Sequence, residues 1–188
     1  MRLFAQAEEV RMLLGEIRTW RPEGAPDAIQ VLEIANQPLR ALYIPRAELT
    51  AAEQLEELAG FGVYFLLEPA TSTEPRPRVF IGGNRQLGRK LAEHRDWPPL
   101  AWQTAIAIPL NPPRVPRFHK ELTKLVQFHC HRRASQVCNH VVVNEEPACP
   151  SLVPAFIDRD LGASRSAIQT LLSALGHPVL GSRLRVAK

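Results

Sequence analysis

Arg89 and His94 stand five positions apart on an expected helix, just downstream of two strand-like runs, Gly62-Val63-Tyr64-Phe65-Leu66-Leu67 and Val79-Phe80-Ile81-Gly82-Gly83. A planar guanidinium can hold two phosphate oxygens through parallel hydrogen bonds, and an imidazole can move protons near neutral pH. Those residue types are ones that chemistry on a phosphate can use. Plainer roles are open beside it: Tyr64 as a strand residue with its ring in the core, and His94 set against the negative end of its own helix.

A second group of chemistry-bearing residues follows. His119, His129, His131 and His140 are four of the six histidines, and Cys130, Cys138 and Cys149 are all the cysteines. One arrangement is a structural zinc site built from His131, Cys138, His140 and Cys149. The spacings match no strong zinc signature, and there is no Cys-x-x-Cys. The other arrangement packs the thiols in a core and leaves the histidines on a solvated face.

The elements that must position these side chains read as α/β. An apolar helical period runs over Phe4–Trp20 through Phe4, Val10, Leu13, Leu14 and Ile17. Pro22, Gly24 and Pro26 break it. Two strands are expected over Ala28–Ala35 and Leu39–Ile44, with Asn36-Gln37-Pro38 as the turn. Thr50 and Glu53 form a capping box for a helix over Ala51–Ala59. The two runs containing Tyr64 and Phe80 make a hairpin around the Pro69–Pro77 loop. Asn84 caps a helix over Arg85–Arg95. A central strand at Gln103–Leu110 and a Pro-rich loop at Asn111–Pro116 precede a long helix, Arg117–Cys138, and a last helix, Ser164–Leu175.

Composition is that of one ordinary folded unit: 188 residues, 45% apolar and 22% charged. Glu8, Glu9 and Glu16 argue against a signal peptide. No apolar stretch approaches the roughly 20 residues that span a bilayer, so a membrane is not an expected partner. An odd number of cysteines without an export signal points to reduced thiols and a cytoplasmic location. Charge is distributed unevenly. Residues 1–74 carry six Lys/Arg against twelve Asp/Glu, and residues 75–188 carry seventeen against seven. A polyanion partner suits the C-terminal side.

The ordered series Gly62-Val63-Tyr64, Phe80-Ile81-Gly82, Arg89 and His94 resembles the core of the GIY-YIG nucleases. One branch of that family also carries a Pro-Arg pair before its first motif strand, here Pro45-Arg46. The same branch opens its long helix with Leu-Thr-Lys, here Leu122-Thr123-Lys124. The resemblance spans about residues 28–180. It implies a small mixed or antiparallel sheet flanked by helices at 61–188, with residues 1–60 as an N-terminal helix, hairpin and helix extension.

By resemblance the protein is a DNA endonuclease that hydrolyses phosphodiesters with a divalent metal, Mg²⁺ or Mn²⁺. Arg89 would stabilise the extra charge of the phosphorane, Tyr64 would orient or deprotonate water, and His94 would transfer a proton or contact phosphate. DNA would be held by Arg76, Arg78, Arg85, Lys90, Arg95, Lys124, Arg132 and Arg133. Phe80 departs from the family's tyrosine, and His131 stands where the family's metal-binding glutamate is expected. Glu145 or Glu146 could approach from the next loop, and Asn144 is the nearest match to a family asparagine. Three readings follow: endonuclease, DNA-binding module derived from one, and protein-interaction domain.

Overall fold

The computed structural model describes residues 16–35, 37, 39–96, 100–110, 119–150 and 155–181, without the side chains of 119 and 155–163. Its strands are β1 Ile17–Trp20, β2 Gln30–Ile34, β3 Arg40–Pro45, β4 Gly62–Glu68, β5 Arg78–Asn84, β6 Thr104–Pro109 and β7 Val141–Val142. Its helices are α1 Leu49–Ala52, α2 Leu87–Glu93, α3 His119–Val137 and α4 Ala155–Ala174. The strands form one sheet in the order β1-β2-β3-β6-β4-β5-β7. All neighbours are antiparallel except β5 and β7, which run parallel. The three expected motif strands are therefore adjacent, with β4 between β6 and β5. The sheet also crosses residue 60, because β3 pairs with β6.

Strand alternation sorts the core into two layers. Val63, Phe65, Val79, Ile81, Ile106 and Ile108 face Leu122, Leu125 and Val126 of α3 and Ile168, Leu171 and Leu172 of α4. Tyr64, Leu66, Leu42, Ile44, Ala105 and Ala107 face Leu49 and Ala52 of α1, Leu87 and Leu91 of α2, and Trp102. β4 is covered on both sides, which explains its unbroken apolar run. Fully burying a side chain such as Phe65 contributes about 1.5–3 kcal/mol. Among the described residues, no helix is long and apolar enough to cross a membrane.

Five expectations need correction. Ile17–Trp20, placed at the end of the first helix, is a strand paired with β2; the earlier part of that helix lies outside the described residues. The helix expected over Ala51–Ala59 is instead a 3₁₀ turn at Arg46–Glu48, the short α1, and a second 3₁₀ turn at Glu56–Leu58. Leu49 and Leu58 are both buried, yet nine residues of straight helix would place them on opposite sides. A break is the geometric solution. No capping bond involves Thr50: Glu48 is the N-cap of α1 and its side chain makes none.

Asn84 does not cap α2 either. Its Oδ1 accepts from the Gln86 N–H at 2.9 Å, and the helix starts at Leu87 with Gln86 as N-cap. The last helix begins at Ala155, well before Ser164. The expected loop at Asn111–Pro116 lies outside the described residues.

Candidate phosphate cleft and buried tyrosine–histidine pair

Tyr64 lies in the middle of β4 and is 1% exposed. Its hydroxyl meets His94 Nε2 at 2.8 Å. Burial, helped by the negative charge of Glu93, raises the Tyr64 pKa, so the phenol stays protonated, and the His94 tautomer sets which of the two atoms donates. Burial, with the positive charge of Lys90 acting in the same direction, lowers His94, while Glu93 opposes the shift. The pair is thus a neutral phenol on a neutral ring.

Register and packing hold the pair in place. Gly82 is the β5 partner of Tyr64 in the ladder, and a Cβ there would overlap Tyr64 Cζ and Oη. Only a glycine leaves room for the phenol. Phe80 stacks on Tyr64 with ring centroids 6.0 Å apart and tilts against His94 at 5.1 Å. The backbone of His94 is fixed as well, since Trp102 Nε1 donates to its carbonyl at 2.9 Å. Arg46, of the Pro-Arg pair, donates to the carbonyls of Trp102 and Arg95 and lies over the Trp102 ring. Four residues singled out from the sequence, Tyr64, Phe80, Gly82 and His94, therefore come together.

Arg89 does not join them. It is an exposed residue of α2 with 76% of its side chain accessible, and it faces Glu93 at 3.6 Å, one turn on. Lys90 binds the same carboxylate at 2.7 Å.

His131 is on α3, whose apolar residues pack against the opposite sheet face from Tyr64. Its Nε2 donates to the Asn144 carbonyl at 2.7 Å, and its Nδ1 lies 3.9 Å from Glu146 Oε2. Glu146 does approach His131, but two donors do not enclose a cation, and neither stands with Tyr64. Among the described residues, His131 and Glu146 do not make the oxygen-rich set required by the divalent ion that the resemblance implies. No group of three or more His, Cys, Asp or Glu is placed to hold a metal ion among the described residues. Cys130 is buried with its thiol pushed up to about 12 by that burial, whereas Cys138 and Cys149 are exposed.

Asn144 acts as backbone. Its Oδ1 accepts from Ile81 N–H at 3.0 Å and its Nδ2 donates to Ile81 O at 3.1 Å.

The basic residues divide. Arg78 binds Glu68 at 3.1 Å, Arg95 binds Glu53, and Arg133 Nε donates to Leu180 O at 3.2 Å. Arg76 and Arg132 are exposed. Arg85 and Lys124 instead share an open cleft of about 650 Å³ with Lys120, Gln86, Thr123, Gly83, Asn84 and Ala59. Among the described residues, no acidic one lines it. The cleft begins at Gly83, one position past the glycine that receives Tyr64. Lys120 was missed in the sequence; its signal was its position four residues before Lys124, one helical turn away. The chain matches no family model, no curated protein and no solved structure.

Proposed function

We propose that this protein binds DNA through backbone phosphates, as a nucleic-acid-binding module built on a GIY-YIG-like arrangement. One observation carries the reading: Arg85, Lys120 and Lys124 line a cleft with hydrogen-bonding partners Gln86 and Thr123 and, among the described residues, no carboxylate in its wall. Three cations with nothing to neutralise them in the wall suit a polyanion, and contacts of this kind position a backbone without reading bases. The family resemblance lends support, because Thr123 and Lys124 come from the Leu122-Thr123-Lys124 signature while Leu122 is in the core. The order β6-β4-β5 and the seating of Tyr64 on Gly82 agree with it.

Fluorescence polarisation with labelled duplex and single-stranded DNA across a salt series tests the reading. Lys120→Ala combined with Lys124→Ala should weaken binding by about tenfold and make the salt dependence shallower by roughly two phosphate contacts. Unchanged affinity and unchanged salt slope would discard it.

A second reading, endonuclease, is favoured by the Tyr64–His94 hydrogen bond. Against it, Tyr64 is enclosed and so remote from an attacking water, and the Arg89 side chain is turned to solvent against Glu93. Plasmid cleavage with Mg²⁺ or Mn²⁺ that disappears in both Tyr64→Phe and Arg89→Ala would establish this second reading.

A further inference from the structure

Antiparallel neighbours alternate between pairs that exchange hydrogen bonds and pairs that do not. The carbonyls of Phe61 and Leu67 accept from Leu110 and Gln103 on the β6 side of β4. Val63, in step with them, therefore turns its own peptide groups to β6. Gly83, its partner across the ladder, is left with its N–H and C=O pointing outward past the β5 edge. Val79 and Ile81 have the same phase, since their outward groups meet Val143 and Asn144.

At Ile81 the outward pair is closed by a planar amide. Asn144 Oδ1 accepts from the N–H at 3.0 Å, and Nδ2 donates to the C=O at 3.1 Å. Two residues on, Gly83 presents the same pair, and among the described residues nothing closes it. Gly83 is half-buried and lines the basic cleft with Arg85, Lys120 and Lys124. Its sheet face is taken by α3, where a Cβ would meet Thr123 Cγ2 at 2.8 Å. A ligand would come to it from the edge.

We propose that the cleft takes an unpaired nucleotide of a DNA strand, its base edge docked on Gly83 as the Asn144 amide docks on Ile81, and its phosphates on the three cations. Every base carries a donor beside an acceptor on its Watson–Crick edge, and that edge is free only outside a duplex. Docking of this kind selects single strands without selecting sequence. The cleft, of about 650 Å³, is in the size range of small-ligand sites. An extended peptide would also match one such pair, but strand addition uses a row of them, and Ile81 is already closed. A peptide without acidic groups would leave the three cations unanswered as well. The inference rests on the phosphate-binding reading and adds the form of strand that the cleft accepts.

The test is titration of the full chain, isotope-labelled, with oligothymidylate, following hydrogen exchange at the Gly83 amide and affinity by fluorescence polarisation. Two comparison ligands go with it. The same oligomer methylated at N3 of every thymine keeps the charge and loses the donor, and the duplex with oligodeoxyadenylate has its edges occupied. Exchange at Gly83 should slow with oligothymidylate alone, and the methylated strand should bind about tenfold more weakly. If all three ligands bind and Gly83 exchange is unchanged, or if the methylated strand binds as tightly, the base-edge inference falls and the phosphate reading stands. If none binds, both fall. Slowed exchange with an uncharged threonine-rich peptide, and not with oligothymidylate, would assign the edge to a polypeptide and overturn the inference.

Discussion

Gly82 lies directly against the Tyr64 ring, across the ladder that joins β4 to β5. A methyl group at that position has nowhere to go, because Tyr64 is itself pinned by Phe80 and His94. Gly82→Ala should therefore destabilise the fold by about 1–3 kcal/mol in urea denaturation. The same change in a Tyr64→Leu background should cost much less, since the clash is with the ring. Equal costs in both backgrounds would show that the ring is not the obstacle.

Asn144 substitutes for a strand residue beside β5, so its loss takes the partner from the Ile81 N–H, while Ile81 O keeps the Gln127 side-chain amide at 3.2 Å. Asn144→Ala should cost about 1–3 kcal/mol. Hydrogen exchange at the Ile81 amide should quicken, while that of Phe65, within the same sheet, should not. Slow exchange retained at Ile81 would mean that water or a neighbour replaces the amide without penalty.

Stability should fall as the solution is acidified. His94, His140 and His177 all have folded pKa values below their ordinary value, so below about pH 6.5 the unfolded chain binds protons that the folded chain refuses. The loss begins there and, for His140, continues down to about pH 4. Thermal melts should drop on the order of 5–10 °C between pH 7 and pH 4, and His140→Asn should flatten the curve. A melting temperature that stays level from pH 7 to pH 5 would contradict this.

The cleft reading also orders the basic residues. Arg132→Glu with Arg133→Glu should weaken DNA binding less than Lys120→Glu with Lys124→Glu, because Arg133 is already engaged by Leu180 and neither arginine lines the cleft. Matching losses from the two double variants would extend the interface along α3, as the charge distribution alone suggests.

What could be read in the chain was local. β4 announced itself because burial on both faces leaves an unbroken apolar run, and the long α3 because its apolar residues repeat with the helical period. β7, two residues long, gives no period at all, although Val141-Val142-Val143 is β-branched throughout. Ile17 was the last member of a helical series and the first residue of a strand; pairing with Ile34 decided the matter, and partners across space are invisible to a window of sequence. The site behaved likewise. Tyr64, Gly82 and His94 were found from their motif, but their contact needed the ladder. Arg78 and Arg95 looked available for phosphate because their carboxylate partners, Glu68 and Glu53, are distant in the chain.

The two-residue β7 and the Asn144 amide have a consequence for how the molecule meets other chains. Between them they occupy the outward N–H and C=O groups of Val79 and Ile81. A row of such groups left open is a template on which another polypeptide can add a strand. That side of the sheet is therefore closed to a visiting peptide or a second copy along its central stretch. Among the described residues β1, with Arg18 and a four-residue length, forms the opposite border. Strand addition along a whole strand is thus left, among the described residues, to that border, on the opposite side of the sheet from the β5 edge whose Gly83 and Asn84 line the cleft.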